Sequence, residues 1–322
     1  MRILVTGGAG FIGSHFVRSL LGGQYPGYEH CRVTVIDRLT YAGGRDNLPE
    51  SHPRLTFVQG DICDSRLLAE LMPGHDALVH FAAESHVDRS VADAEPFMWA
   101  NVIGTHRLLE QCRRHGVERV VHVSTDEVYG SIDEGSWSES FPMEPNNPYA
   151  ASKAASDCLA RSHHRSFGLD LSITRCSNNY GPRQHPEKII PKFVTRMLRG
   201  MDLTVHGDGS AVREWIHVDD HCRGILLVLG KGRPGEIYNI GGGVELTNLE
   251  LTRTLLELGN ADWDTVRYVP DRVAQDRRYS LDHRKINEEL GFQPEIDFRA
   301  GLLDVFTWYR ENSAWWASRI DG

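Results

Sequence analysis

The stretch Ser124-Thr125-Asp126-Glu127-Val128-Tyr129-Gly130 sets hydroxyls beside two adjacent carboxylates, and Tyr149 and Lys153 follow it. Two neighbouring acids can serve as proton donor and proton acceptor if they are held in opposite protonation states, which different burial and partners supply. The spacing Tyr149-x-x-x-Lys153 places a phenol and an ammonium on one helix face. Lys153 can then lower the phenol pKa and hold a ribose, leaving Tyr149 to act as a base near neutral pH. Pro145 and Pro148 just before it end a loop and start a helix. Together these groups describe a site that moves protons on a substrate from which a hydride is also moved.

The hydride carrier is implied upstream. Ile3–Thr6 reads as a strand running into Gly7-Gly8-Ala9-Gly10-Phe11-Ile12-Gly13 and then into a helix carrying Phe16, Val17, Leu20 and Leu21. The glycine spacing is a variant of the dinucleotide fingerprint, which turns tightly and lets backbone N–H groups approach a pyrophosphate at the helix N-terminus. Asp37 closes the second strand 24 residues after Gly13. A carboxylate there accepts hydrogen bonds from the adenosine ribose and repels a 2′-phosphate, so NAD is expected over NADP. Arg38 is the contrary feature and reads as a solvated loop residue. Asp61-Ile62, after the third strand, offers an adenine contact.

These residues need a scaffold. Apolar runs at Ile3–Thr6, Val33–Asp37, Leu55–Gln59, Ala77–Phe81, Val120–Ser124 and Leu171–Arg175 alternate with amphipathic segments. That alternation predicts a Rossmann-like, doubly wound parallel sheet, with the strand-end Ser124-Thr125 where such sheets place ligands. Asn101–His115 predicts one helix with Val102, Leu108, Leu109 and Cys112 on a single face. After residue 177, Pro and Gly punctuate shorter elements, and Glu236–Ile240 reads as a strand returning to the main sheet. The expected division is therefore an NAD-binding domain over 1–177, with the returning strand near 236–240, and a smaller α/β substrate lobe over 178–322. The aromatic tail Trp308-Tyr309 and Trp315-Trp316 reads as core or lid packing.

Composition narrows the class. With 322 residues, 40% hydrophobic and 25% charged, the chain has the make-up of a globular protein. A net charge of −9 argues against a nucleic-acid partner, which needs a basic stripe. Six scattered cysteines without a Cys-x-x-Cys pair read as reduced thiols. No apolar run approaches the roughly 20 residues that span a bilayer. With no signal-peptide pattern before the first strand, the expectation is a cytoplasmic protein without membrane partners. Asp219-Asp220-His221-Cys222 reads as a helix start capped by Asp219 or Asp220, and no metal site is expected.

The glycine loop, the strand-end Ser124-Thr125 and the Tyr149/Lys153 pair resemble the extended short-chain dehydrogenase/reductase family acting on nucleotide sugars. Five further segments resemble its dTDP-glucose 4,6-dehydratase branch: Leu39-Thr40-Tyr41-Ala42-Gly43, Ala82-Ala83-Glu84-Ser85-His86-Val87-Asp88, Thr125-Asp126-Glu127-Val128-Tyr129-Gly130, Ser177-Asn178-Asn179-Tyr180-Gly181-Pro182 and Pro186-Glu187-Lys188. The resemblance implies NAD contacts from Gly7, Gly10, Phe11, Ile12, Gly13, Asp37, Arg38, Thr40, Asp61, Ile62, Phe81, Ala82, Ala83, Ser85, Tyr149, Lys153 and Asn179. It implies substrate contacts from Ser85, His86, Thr125, Asn178, Lys188, Arg213 and Asn248, the substrate being a nucleoside-diphosphate hexose, and a homodimer. Arg213 suits a phosphate because guanidinium pairs with it bidentately, although an ion pair with Glu214 or Asp219 is the other reading.

The implied chemistry assigns Tyr149 the C4 hydroxyl proton, Glu127 the C5 proton, Asp126 donation to the departing C6 hydroxyl, and Thr125 a hydrogen bond to the C4 oxygen. Hydride taken from C4 returns to C6, so the cofactor is regenerated within each turnover and stays bound. Two departures from the family pattern stand out: Val273-Ala274-Gln275 where Pro-Gly-His is usual, and Ala100 where Thr is common. A UDP-sugar 4-epimerase, a UDP-glucuronate decarboxylase and a non-catalytic NAD-binding sensor are the alternatives; Asp126-Glu127 argues against the first two and the full set of reactive groups against the third.

Overall fold

The computed structural model describes residues 1–271 and 276–320. Its main sheet has seven strands: β1 Arg2–Thr6, β2 Arg32–Asp37, β3 Leu55–Gln59, β4 Ala77–His80, β5 Arg119–Thr125, β6 Leu171–Cys176 and, after the shorter β7 Asn178–Tyr180, β8 Leu203–His206 and β9 Val212–His217, the returning β10 Ile237–Ile240. The spatial order is β3-β2-β1-β4-β5-β6-β10, and every pairing is parallel. This is the doubly wound α/β order, with its switch between β1 and β4, extended by one strand.

Apolar residues on both faces of each central strand make this arrangement. Val5, Val35, Val79 and Val121 face the helices Phe11–Leu21 and Val218–Lys231. Leu4, Ile36, Leu78 and Val120 face Leu68, Leu108, Leu109 and Ala160 on the other side. Strands covered on both faces carry continuous apolar runs, so their positions follow from composition. Each such fully buried side chain contributes about 1.5–3 kcal/mol before entropic costs.

The second layer of structure lies beyond β6. The strands β11 Val244–Thr247, β9 and β7 form a three-stranded sheet, and β8 pairs with β12 Val266–Val269. Phe193, Trp215, Leu251, Leu255, Leu302, Val305, Tyr309 and Trp316 build a separate core there. The aromatic tail therefore packs, as expected, against helices of this lobe.

Two local expectations change. The segment read as one helix from Asn101 begins as a π-helix, Met98–Gly104, before the α-helix Thr105–His115. The wider turn leaves Val102 only half-buried but drives Asn101 inside, where it grips Glu84 through both backbone groups and Ser152. The helix Val218–Lys231 is capped by His217, whose ring accepts from the Asp219 amide; Asp219 and Asp220 sit past the cap, inside the first turn. The residues Val273-Ala274-Gln275 lie outside the described part of the chain.

Candidate active site

The glycine loop sits where β1 ends. Gly7 has φ +67°, and a Cβ on it would stand 2.6 Å from the Ala82 amide nitrogen. A Cβ on Gly13 would stand 2.3 Å from the Gly7 carbonyl oxygen, so the helix packs this close only without a side chain. The helix Phe11–Leu21 starts at Gly10 with no side-chain cap and no acid in its first turn. Its first amides are therefore left to an anionic group, which fits a pyrophosphate. Around this end lies a cavity of about 320 Å³, lined by all the expected cofactor residues from Gly7 through Asn179, and also by Ala100.

Asp37 is buried, and desolvation raises its pKa although it accepts from the amides of Leu39 (2.8 Å) and Ala9 (2.9 Å). One carboxylate thus ties the second strand to the glycine loop while facing the cavity. Arg38 is exposed, as expected of a solvated residue, and makes a surface ion pair with Asp61 at 3.3 Å. Among the described residues, Asn178 Oδ1 and Asp126 Oδ2 are buried with no hydrogen-bond partner, and both residues line the cavity. Unpaired polar atoms of this kind call for a polar ligand.

The reactive groups gather at the end of β5. The strand stops at Thr125, whose Oγ1 accepts from the Glu127 amide (3.3 Å) and donates to Asp126 Oδ1 (3.2 Å). A single 3₁₀ turn, Asp126–Tyr129, follows and is closed by Gly130 at φ +91°. This cap-and-turn brings two sequence neighbours onto one wall, although adjacent residues on a strand would diverge. Asp126 is only 2% exposed. Burial, then the charges of Glu127 and Glu214, raise its pKa well above the carboxylate range. Burial also raises Glu127, but Lys188 and Arg213 oppose the shift and Asn147 donates to its carboxylate at 3.5 Å. The two acids are thereby pushed toward different protonation states, Asp126 the neutral one.

Tyr149 and Lys153 stand on the helix Pro148–Phe167, capped by the Asn147 side chain. Both are buried. Lys153 Nζ donates to the Val123 carbonyl at 2.8 Å, and burial lowers its pKa to about 8. The Tyr149 phenol is raised well above its ordinary value, first by burial and then by Glu127, while the Thr125 hydroxyl pulls it down. The spacing argument anticipated a phenol lowered by Lys153. Here desolvation outweighs that cation, whose amine is directed at the strand carbonyl.

A second cavity of about 190 Å³ adjoins the first and shares Glu127, Asn178 and Lys188 with it. His86, Arg213 and Asn248 line it. Arg213 donates to the carbonyls of Val212 (2.7 Å) and Asp276 (2.9 Å) and lies 4.2 Å over the Tyr279 ring. The suggested ion pairs are not what holds it: Asp219 pairs with His15, and the Glu214 carboxylate accepts from the amides of Gly243 and Leu281. Lys188 Nζ donates to the Ser85 carbonyl, and the His86 ring meets Glu187 at 3.5 Å.

Several residues here were given no part in the site by the sequence reading. The Tyr41 hydroxyl donates to Glu187 while Arg89 covers its ring at 3.6 Å, bracing the loop after β2 against the second lobe. Asp276 receives Asn146 and the Tyr279 hydroxyl, each at 2.5 Å. Glu214 is pushed up to about 7 by burial. Tyr41 and Glu187 belong to motifs already singled out; nothing in local spacing marks Asp276, Tyr279 or Glu214, whose partners are remote in sequence.

The chain is similar to known proteins over nearly its whole length. The family model described as GDP-mannose 4,6 dehydratase matches residues 4–305. The chain belongs to that family. A dTDP-glucose 4,6-dehydratase from Actinoplanes sp. is 57% identical over 98% of this chain and 100% of its own length. A crystal structure of a dTDP-glucose 4,6-dehydratase from Streptomyces venezuelae with NAD bound is 62% identical, with a TM-score of 0.98 over 99% of this chain and 100% of the other. A UDP-glucose 4-epimerase from Thermotoga maritima shares the fold at a TM-score of 0.90, with 33% identity over 97% and 100% of the two chains.

Proposed function

We propose that this chain is an NAD-dependent dTDP-glucose 4,6-dehydratase, a hydro-lyase that converts dTDP-glucose to dTDP-4-keto-6-deoxyglucose. The observation that carries this reading is the convergence of Asp126, Glu127 and Tyr149 on one cavity that is continuous with the glycine-loop pocket. NAD bound in that pocket supplies the acceptor for the C4 hydride and the donor for its return to C6. Tyr149 takes the C4 hydroxyl proton as a phenolate, a form that burial alone opposes and that the positive nicotinamide of bound NAD and the Lys153 cation would favour, with Thr125 hydrogen-bonding the C4 oxygen. Keeping Asp126 neutral removes one negative charge that would raise the phenol further.

The new 4-ketone acidifies C5–H, and Glu127 removes that proton. Asp126 gives its proton to the C6 hydroxyl, which leaves as water, so no hydroxide is released into a dry site. C5 is then reprotonated from Glu127. Lys188 and Arg213 hold Glu127 ionised enough to act as a base and place positive charge beside the sugar diphosphate. Ser85, His86, Asn178 and Asn248 complete the substrate wall across the two cavities.

On this reading the main sheet, residues 1–177 with β10, carries the cofactor, and most of 178–322 carries the nucleotide sugar. A homodimer and a cytoplasmic location belong to the same proposal. No described helix is long and apolar enough to cross a membrane. The helices Thr105–His115 and Pro148–Phe167 pack side by side and bear the exposed Phe167, with exposed Trp99 in the turn before them, which suits a paired surface. Sedimentation of the purified protein tests the dimer. Incubation with dTDP-glucose, UDP-glucose and UDP-glucuronate, reading the 4-keto product's absorbance in alkali, tests the activity. An epimerase yields a 4-epimer and a decarboxylase carbon dioxide, and neither gives that absorbance.

A further inference from the structure

The proposed cycle requires the cofactor to remain in place between oxidation and reduction, and the glycine loop is tied to a part of the chain far from it. Asn47 is 1% exposed, and its side-chain Nδ2 donates to the Ala9 carbonyl at 2.9 Å. Its Oδ1 accepts from the Trp315 indole N–H at 3.0 Å. A carbonyl only accepts and an indole only donates, so the amide has a single workable orientation. Ala9 is thereby held at both ends, its amide by Asp37 and its carbonyl by Asn47 and the Gly44 amide. The Asn47 carbonyl also receives Arg18, from the helix that the glycine loop starts.

Trp315 belongs to the C-terminal helix Ser313–Ile320, which is packed on the second lobe through Trp316 and the Trp308 edge. Arg319, one turn further, stacks 3.9 Å over the Trp315 ring and reaches Asp46 at 2.6 Å. This helix therefore grips Asp46 and Asn47 side by side, and Asn47 passes the restraint to the peptide that precedes the exposed helix amides. We propose that Asn47 and Trp315 are positioning residues for the dinucleotide: the C-terminal helix keys the glycine loop from the substrate lobe and keeps NAD bound through turnover. This rests on reading the glycine pocket as the NAD site.

The test measures NAD release, not turnover. Purified holoenzyme carrying NAD is diluted into NAD-free buffer, and protein-bound nucleotide is quantified over time after rapid filtration. Amide hydrogen exchange is followed over Ala9–Gly13 in the same samples. Trp315→Phe keeps an aromatic ring but loses the N–H donor together with part of the indole, so release should quicken at least about fivefold, the worth of one neutral hydrogen bond. Asn47→Asp turns an acceptor toward the Ala9 carbonyl and should quicken it further. Exchange over Ala9–Gly13 should rise in both variants while the unfolding temperature of Trp315→Phe falls by no more than a few degrees, about 2–4 °C per kcal/mol lost. Release from Trp315→Phe at the wild-type rate overturns the inference. Wild-type protein that neither carries nor binds NAD overturns the reading of the pocket as well.

Discussion

Replacing Asp126 by asparagine separates two properties that the site assigns to it. The buried carboxyl receives Thr125 on Oδ1, and its Oδ2 has no partner among the described residues. An amide has the same shape, accepts the same bond and has no proton to give. Burial and neighbouring acids hold the folded pKa well above the ordinary value of 3.8. Between those values the unfolded chain is ionised at Asp126 while the folded chain stays protonated. The stability from that proton is full below the unfolded pKa and declines as pH rises toward the folded one, by about 1.4 kcal/mol per pH unit. The asparagine variant has no such slope. Asp126→Asn should therefore gain on the wild type by about 1.4 kcal/mol for each pH unit above about pH 4 until the folded pKa is reached, seen by calorimetry as a rising unfolding midpoint. Its dehydration rate should fall by about 10²–10⁴, the usual worth of a placed general acid. C4 oxidation should survive, so reduced nicotinamide accumulates in stopped-flow absorbance. A pH–stability curve parallel to the wild type, together with dehydration within about threefold of it, would refute both the neutral carboxyl and its role.

Glu127→Gln should retain NAD and oxidise C4 slowly without eliminating water; undiminished dehydration, or C5–H exchange with heavy water at the wild-type rate, removes Glu127 from the mechanism. Tyr149→Phe should cost at least about two orders of magnitude in rate with the same unfolding midpoint, since its phenol serves chemistry and not packing. Lys153 is needed as a cation and is lowered to about 8, so wild-type activity should decline as pH rises through that value; Lys153→Met should be slow at every pH and lack that alkaline limb. Arg213→Met should raise KM for dTDP-glucose about tenfold or more with a smaller change in kcat, and the reverse pattern would place Arg213 at the reacting atoms instead.

The parallel sheet was legible because β1, β2 and β5 are largely buried on both faces and so are rich in Val, Ile and Leu, while β6 keeps Leu171 and Ile173 between small polar residues. The glycine loop, Asp126-Glu127 and the Tyr149/Lys153 pair were legible because their geometry is local: a turn, a capped strand end, one helix face. What was hidden depends on distant chain. The π-turn at Met98–Gly104 answers the pull of Asn101 toward Glu84 and Ser152, which no periodicity records. The His217 cap stands in place of two better-known capping acids, of which Asp219 is engaged by His15 and Asp220 by the amides of Glu295 and Ile296. The direction of the Tyr149 shift followed from how dry the assembled site is, a property of burial and not of spacing.

The most direct test of the central claim is to incubate the protein with dTDP-glucose labelled with deuterium at C4, in ordinary water, and to locate the label in the product. Internal return of the hydride predicts a 4-keto-6-deoxy sugar carrying that deuterium in its C6 methyl group. Unchanged dTDP-glucose, label retained at C4 in an epimerised sugar, or label lost to solvent would contradict it.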